Sequence, residues 1–270
     1  MTDKSSHMRP DPEFERMSEE CARRRQELAE LFEEYEYLNK TLIPNIEATY
    51  LTVIGTLQYE LLQVQIRVRR LRRKCELIQA ALNRGEPVDI GAIENQLDLE
   101  FQEWMLRLQS SYADLRYAEL RLSHLMTEEE SEEFRSLFRR LVKKLHPDVN
   151  PDQSEAAKNL WLQVQAAYEN GDLEQLRALA LLAEDIPEDY TLPDSLNLMR
   201  DKLSSLMDKI LMMRERLEKL RGHPLLQMED KLNDRDWVSS QQEVIREQIS
   251  HEQEQLSALE EMLKRLEGSD

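Results

Sequence analysis

The sequence predicts an all-α protein in which a central helical unit is flanked by long antiparallel coiled-coil hairpins. Apolar residues recur at steps of three and four, as in helices, and not at the alternating spacing of strands. The 270 residues include only six glycines and nine prolines, and 33% of them are charged. Aromatic residues make up 6% of the chain, which suits long helices with narrow seams better than a thick globular core.

Charge and composition limit the classes of partner that the protein is expected to bind. The formal net charge of −18 argues against general nucleic-acid binding, because most of the surface would repel phosphates. No apolar run approaches the roughly 20 residues that a membrane span needs, and the N-terminus lacks the hydrophobic stretch of a secretory signal. Cys21 and Cys75 are too few and too far apart for a metal knuckle or a disulfide scaffold. We therefore expect a cytoplasmic protein without a metal, cofactor, nucleic acid or membrane partner.

Residues 1–43 are predicted to form an N-terminal tail and helix. The segment 12–38 has a helical pattern, and Pro44 is expected to separate it from the next element. This helix either lies against the following hairpin or pairs with another chain.

Residues 44–126 are predicted to form an antiparallel coiled-coil hairpin. One apolar seam runs through residues 54–82 and a second through residues 93–125. Gly85 and Pro87 mark the break between them, because glycine suits a helix C-terminus and proline excludes the helical conformation from its predecessor. So short a connection implies that the second helix runs back along the first.

The most basic run of the chain, residues 67–74, lies on the first helix of this hairpin. The fold-back would place it beside three acids of the second helix, which are Asp98, Glu100 and Glu103. We interpret the run as half of a charge-matched seam. A nucleic-acid patch is the alternative, which the acidity of the chain disfavours.

Residues 187–270 are predicted to form a second hairpin. Apolar seams run through residues 192–220 and 245–266, and Gly222 and Pro224 end the first of its helices. Long antiparallel seams can be completed within one chain or between two, so a homodimer through the coiled coils is one of two alternatives.

Residues 127–186 form the central unit, where the chemistry is more specific than packing requires. Thr127 and Glu130 make a capping box that starts a helix. One face of this helix is apolar, and the other carries five cations with no acid between residues 134 and 145. The cations are Arg135, Arg139, Arg140, Lys143 and Lys144.

A polar loop follows this helix and leads into two further helices. Pro147 ends the helix and leaves His146 and Asp148 in the loop. Ser154 and Asp172 cap the two helices that follow. The cationic helix before the loop and the helix capped by Ser154 are expected to pack antiparallel, with the His-Pro-Asp loop at the tip of the pair.

This unit, from Thr127 to about Leu182, resembles a J-domain, the DnaJ-type module that works with DnaK-type ATP-driven chaperones. The resemblance rests on the basic helix F-R-R-L-V-K-K-L, the loop H-P-D-V-N-P-D and the helix that ends Q-A-A-Y-E-N-G-D. It implies an antiparallel helical pair and covers about a fifth of the chain. It also implies that the loop triggers ATP hydrolysis in the partner, and that the cationic face docks on the chaperone's acidic surface. The loop residues are His146, Pro147 and Asp148, and the docking residues are Arg139, Arg140, Lys143 and Lys144.

The sequence departs from the J-domain pattern before the cationic helix. J-domains usually begin with a helix bearing a D-Y-Y-x-x-L-G-like stretch, and this chain has A-D-L-R-Y-A-E-L-R-L-S-H-L at that position. Either the hairpin of residues 44–126 supplies the supporting helix, or the module is degraded. We favour the first, because the cationic helix and the loop are both intact.

The leading hypothesis is therefore a J-domain co-chaperone whose coiled-coil arms recruit an unidentified client or assembly. The competing hypothesis is a coiled-coil scaffold that keeps a J-like fold without the activity. A plain interhelix turn would explain the turn residues of the loop but not the cations before it. We do not expect an enzyme, because no nucleophile, phosphate-binding glycine loop or metal-ligand cluster accompanies His146 and Asp148.

Overall fold

The computed structural model describes residues 12–186 and 195–268, which contain helices and no strand. The all-α class is confirmed. The helices are α1 (Pro12–Glu36), α2 (Ile43–Tyr50), α3 (Thr56–Arg84), α4 (Ile90–Glu100), α5 (Gln102–Leu122), α6 (Glu128–Leu145), α7 (Glu155–Glu169), α8 (Leu173–Glu184), α9 (Leu196–Arg221), α10 (Met228–Asn233) and α11 (Arg235–Glu267). Two π-helical segments, Tyr37–Leu42 and Leu51–Gly55, lie on either side of α2, and a 3₁₀ turn, Pro224–Gln227, precedes α10. None of the described helices combines the length and the apolar composition needed to cross a bilayer.

Local sequence signals set several helix ends. Gly85 ends α3 in the left-handed conformation, with φ +68°, where a residue with a Cβ would be strained. Thr127 and Glu130 form the capping box of α6, since each side chain accepts the other residue's backbone N–H. Ser154 and Asp172 cap α7 and α8 by accepting the N–H of the third residue beyond each of them.

The chain forms two compact units, each built from separate stretches of sequence. The first combines residues up to Pro44 with Met126–His223, and the second combines Asn45–Leu125 with the residues from Pro224 onward.

In the first unit, α6, α7 and α8 enclose an aromatic core, and α1 packs on α6. The ring of Tyr168 stacks on Phe138 at a centroid distance of 3.7 Å and on Phe134 at 4.8 Å. Trp161 also stacks on Phe138, at a centroid distance of 5.9 Å. These contacts fix α6 against α7 and so hold the loop between them at one end of the pair.

The helices α1 and α9 pack side by side and run parallel. Three Glu–Arg ion pairs join them, and in each the partners are 187 residues apart: Glu13–Arg200, Glu27–Arg214 and Glu34–Arg221. The constant offset means that the two helices advance in the same direction, and the spacing of the pairs is a multiple of seven residues. Such pairs flanking an apolar seam are a coiled-coil device that fixes register.

In the second unit, α3 packs along α11 and α4 and α5 run back beside it. Gln242 donates to the backbone carbonyl of Val53 at 2.9 Å, and Cys75 donates to that of Leu259 at 3.9 Å. The later residue of one helix thus meets the later residue of the other, so α3 and α11 also run parallel. Three of the six cations of the basic run form ion pairs within their own unit. Arg70 lies 2.8 Å from Asp98, Arg73 lies 3.0 Å from Glu100, and Lys74 lies 2.9 Å from Glu94.

The structure corrects the predicted four-domain division. Residues 187–270 do not fold as one hairpin, because α9 packs on α1 in the first unit and α11 packs on α3 in the second. Residues 1–43 do not stand apart either, since α1 is part of the core of the central unit. The residues 1–11 and 187–194 of these predicted domains lie outside the described part of the chain. An apolar seam indicates that a helix packs on another helix but not on which one. The prediction from periodicity therefore paired helices that are neighbours in sequence.

Candidate functional site

The His-Pro-Asp loop is a compact turn between α6 and α7. The N–H of His146 donates to the Val142 carbonyl at 2.9 Å, which completes the last turn of α6. The His146 carbonyl in turn accepts the N–H groups of Val149 at 3.0 Å and Asn150 at 2.8 Å. The Asn150 side chain donates to the Lys143 carbonyl at 2.7 Å, so the loop is tied back to the helix that precedes it.

The imidazole of His146 is half-buried between two aromatic rings. The Phe32 ring of α1 lies 4.0 Å from it between centroids, and the Trp161 ring of α7 meets it edge-on at 4.9 Å. Its Nδ1 accepts the backbone N–H of Asp148 at 3.0 Å, which places the proton of the neutral ring on Nε2. The pKa of His146 is lowered to about 4, chiefly by burial. The charge of Asp148 acts to raise this pKa and that of Lys209 to lower it, so the ring is neutral at pH 7.

Asp148 is held by a residue that lies far away in sequence. Lys209 of α9 donates to the Asp148 carbonyl at 2.9 Å and lies 3.2 Å from its carboxylate. Arg25 of α1 donates to the carbonyl of Val149 at 3.3 Å and also bonds the Asn150 side chain. Pro147 is exposed between these anchored neighbours. The loop is therefore braced from two sides, by α1 and by α9.

The cations of α6 divide into two groups. Arg135 and Arg139 turn toward α1, where Nε of Arg135 lies 2.6 Å and Nη2 of Arg139 lies 3.0 Å from the carboxylate of Glu33. Glu33 is only 2% exposed, so this carboxylate is a buried counter-ion for both guanidinium groups. The sequence around the cationic helix offers no acidic partner for its five cations, and the structure shows that Glu33 of α1 pairs with these two. Glu33 lies about a hundred residues earlier in the chain, so inspection of the neighbouring sequence does not reveal it as their partner.

The second group lies nearer the loop. Arg140 and Lys143 are exposed, and no described residue forms an ion pair with either. Lys144 donates to the backbone carbonyl of Glu184 in α8 at 3.4 Å. These three cations line a cavity of about 300 Å³ between α6, α7 and α8. Of the predicted docking residues, Arg140, Lys143 and Lys144 thus lie together, and Arg139 lies toward Glu33.

The helix that supports α6 is α1. The sequence interpretation assigned this role to the end of the hairpin of residues 44–126, which is wrong, because α5 belongs to the second unit. α1 buries Leu28, Ala29 and Glu33, and it contacts α6 along its length. Sequence reasoning also missed Phe32 and Lys209 as loop contacts. The one available signal was the recurrence of Glu in α1 and Arg in α9 at multiples of seven residues.

No protein-family model matches the chain, and no solved structure matches it.

Proposed function

We propose that this chain is a J-domain co-chaperone that docks on a DnaK-type chaperone and stimulates its ATPase. The observation that carries the proposal is the antiparallel pair of α6 and α7 with His146, Pro147 and Asp148 in the turn between them. The resemblance in sequence supports the same function through the basic helix and the Q-A-A-Y-E-N-G-D ending of α7.

Docking in this proposal is electrostatic. Arg140 and Lys143 are exposed within the last two turns of α6 before the loop, on a protein whose formal net charge is −18. A local cationic patch of this kind steers an acidic partner surface toward the loop and sets its orientation, with an affinity that falls as salt rises. Lys144 and Arg139 add charge to the same helix, although each also has a contact within the unit.

The loop then acts on the partner and not on a substrate of this chain. Differential contact with the two conformations of the chaperone would bias it toward the hydrolysing state, which is allosteric activation. ATP hydrolysis takes place in the partner, so the proposed protein is not itself an enzyme. Its parallel helix pairs, α1 with α9 and α3 with α11, are the surfaces we propose for a client or assembly, or for self-association.

A scaffold protein with an inactive J-like unit is the second candidate, and specific contacts favour it. Phe32 covers one face of the His146 ring, Lys209 holds Asp148, and Glu33 holds Arg135 and Arg139. A loop used only as a turn would be expected to have such contacts. A working loop must release some of them when the partner docks.

An ATPase assay separates the two candidates. The purified chain is added to the DnaK-type chaperones of the source organism, and the rate of ATP hydrolysis is measured with the wild type, His146→Gln and His251→Gln. His251 is exposed on α11, so its replacement controls for loss of an imidazole elsewhere. A co-chaperone stimulates hydrolysis, loses the effect in His146→Gln and keeps it in His251→Gln. No stimulation by the wild type with any of these chaperones would sink the proposal and leave the scaffold.

A further inference from the structure

The cavity beside the cationic helix has the features of a ligand site. It lies between the C-terminal end of α6, the N-terminal end of α7 and the C-terminal end of α8, with Arg25 of α1 at its edge. Its volume of about 300 Å³ is at the lower end of the range for small-molecule sites.

Its charged lining is strongly cationic although the protein as a whole is acidic. Arg25, Arg140, Lys143 and Lys144 contribute four positive charges, and Glu184 contributes one negative charge. Arg140 and Lys143 have no ion-pair partner among the described residues, so their charge is available to a ligand. The N-terminus of α7 adds the partial positive charge of its first turn, whose cap is Ser154.

An unpartnered buried amide points independently to a ligand. Gln153 lines the cavity, the residue is only 8% exposed, and neither Nε2 nor Oε1 has a hydrogen-bond partner within the described structure. Burial of an amide without partners is costly, and such groups are rare in folded proteins. A ligand oxygen that accepts from Nε2 would satisfy the donor of this amide, and a ligand hydroxyl would satisfy Oε1.

The rest of the lining is apolar and shapes the body of the ligand. The cavity is closed by small or aliphatic side chains, namely Leu141, Ala157, Ala180, Ala183 and Ile186. A ligand that fills it would therefore combine an anionic head with an apolar body.

We propose that this cavity binds a small organic phosphate. The phosphate lies against Arg140 and Lys143, and the apolar body lies on the alanines of α7 and α8. Gln153 hydrogen-bonds the polar group that joins head and body. Clustered arginine and lysine with a helix N-terminus favour a phosphate over a carboxylate, because a phosphate carries more charge and more acceptor oxygens. The proposal goes beyond co-chaperone activity and does not depend on it.

Binding is tested on the full chain with phenyl phosphate as the probe. Calorimetry and thermal unfolding are run at constant ionic strength, with benzoate as the carboxylate analogue and benzyl alcohol as the neutral one. We expect saturable binding and a raised Tm with phenyl phosphate, and weaker effects with the other two. Equal effects from benzoate, or a shift that sodium chloride reproduces, would overturn the assignment.

Matched variants locate the site. Gln153→Leu keeps the side-chain volume and removes only the amide, so the protein should fold at least as well without ligand and bind phenyl phosphate about tenfold more weakly. Lys143→Gln alters an exposed residue and serves if Gln153→Leu does not fold. Lys158→Gln, on the exposed side of α7 and outside the cavity, is the control. Binding that is unchanged in Lys143→Gln, or lost equally in Lys158→Gln, would refute the site.

Discussion

Lys209 of α9 clamps Asp148 of the His-Pro-Asp loop through two contacts, one to its backbone carbonyl at 2.9 Å and one to its carboxylate at 3.2 Å. If the loop must be released for docking, this clamp opposes activity. The loop of the proposed co-chaperone is then held in place by α9 until the partner displaces that helix's lysine.

Replacement of Lys209 by Ala should therefore increase partner engagement. Loss of hydrogen bonds from a charged donor, worth about 1.5–3 kcal/mol, is expected to raise the affinity for the chaperone by roughly ten- to hundredfold. The same change should raise the pKa of His146, because the charge of Lys209 acts to lower it. The affinity is measured by ATPase titration, and the pKa by NMR titration of the imidazole.

Lys219→Ala removes an exposed lysine from the same helix and is the matched control. If both variants stimulate the chaperone like the wild type, the clamp has no regulatory effect. An unchanged His146 pKa in Lys209→Ala would contradict the contact itself.

Glu33→Gln should destabilise the first unit by about 1–3 kcal/mol. The change leaves the guanidinium groups of Arg135 and Arg139 beside a neutral amide in place of a buried carboxylate. Urea unfolding gives the free energy of unfolding for both forms. The neighbouring Glu34→Gln breaks a more exposed pair with Arg221 and should cost less than about 1 kcal/mol, so equal losses in the two variants would contradict the prediction.

The stability of the first unit should depend on pH through His146. Its folded pKa of about 4 lies below the ordinary value of 6.5, so the unfolded chain binds more protons between these values. The stabilisation is fully present above pH 6.5 and is lost as pH falls toward 4, to a total of about 3 kcal/mol.

His146→Gln cannot titrate and provides the control for this pH dependence. The difference in unfolding free energy between the wild type and His146→Gln is measured from pH 7 to pH 4. As pH falls, the wild type should lose more unfolding free energy than the variant. A constant difference over the whole range would mean that the ring is not protected from protonation.

Met207→Arg should stabilise the α1–α9 pair by a few tenths of a kcal/mol. Met207 occupies the one position of the seven-residue series Arg200, Arg214 and Arg221 that has no arginine, and it is exposed. The constant offset places it opposite Glu20. Thermal unfolding is compared with Met212→Arg, which is also exposed on α9 but lies outside the series, and a gain only in that control would contradict the parallel register.

Local features of the fold were predictable from sequence, and long-range pairing was not. The capping box at Thr127, the glycine end of α3 at Gly85 and the cap at Ser154 depend on residues within four positions of each other. The pairing of α1 with α9 depends on matching across 187 residues, where many registers offer similar apolar seams.

The candidate site divides in the same way. The loop and the exposed cations of α6 follow from a continuous stretch of sequence, and the structure places them side by side. Glu33, Phe32 and Lys209, which constrain that stretch, come from α1 and α9 and have no local signature in the sequence. The unpartnered state of the Gln153 amide depends on the tertiary structure and has no signal in the sequence.

The clamp on Asp148 also sets an order of events during synthesis. Lys209 is made 61 residues after Asp148, which takes about 3–12 seconds at roughly 5–20 residues per second. α1 and α6 are already made when this interval begins and α7 is completed within it, while Lys209 is not yet present to hold the His-Pro-Asp loop. The loop of the nascent chain is thus less constrained than the loop of the finished protein until α9 is complete.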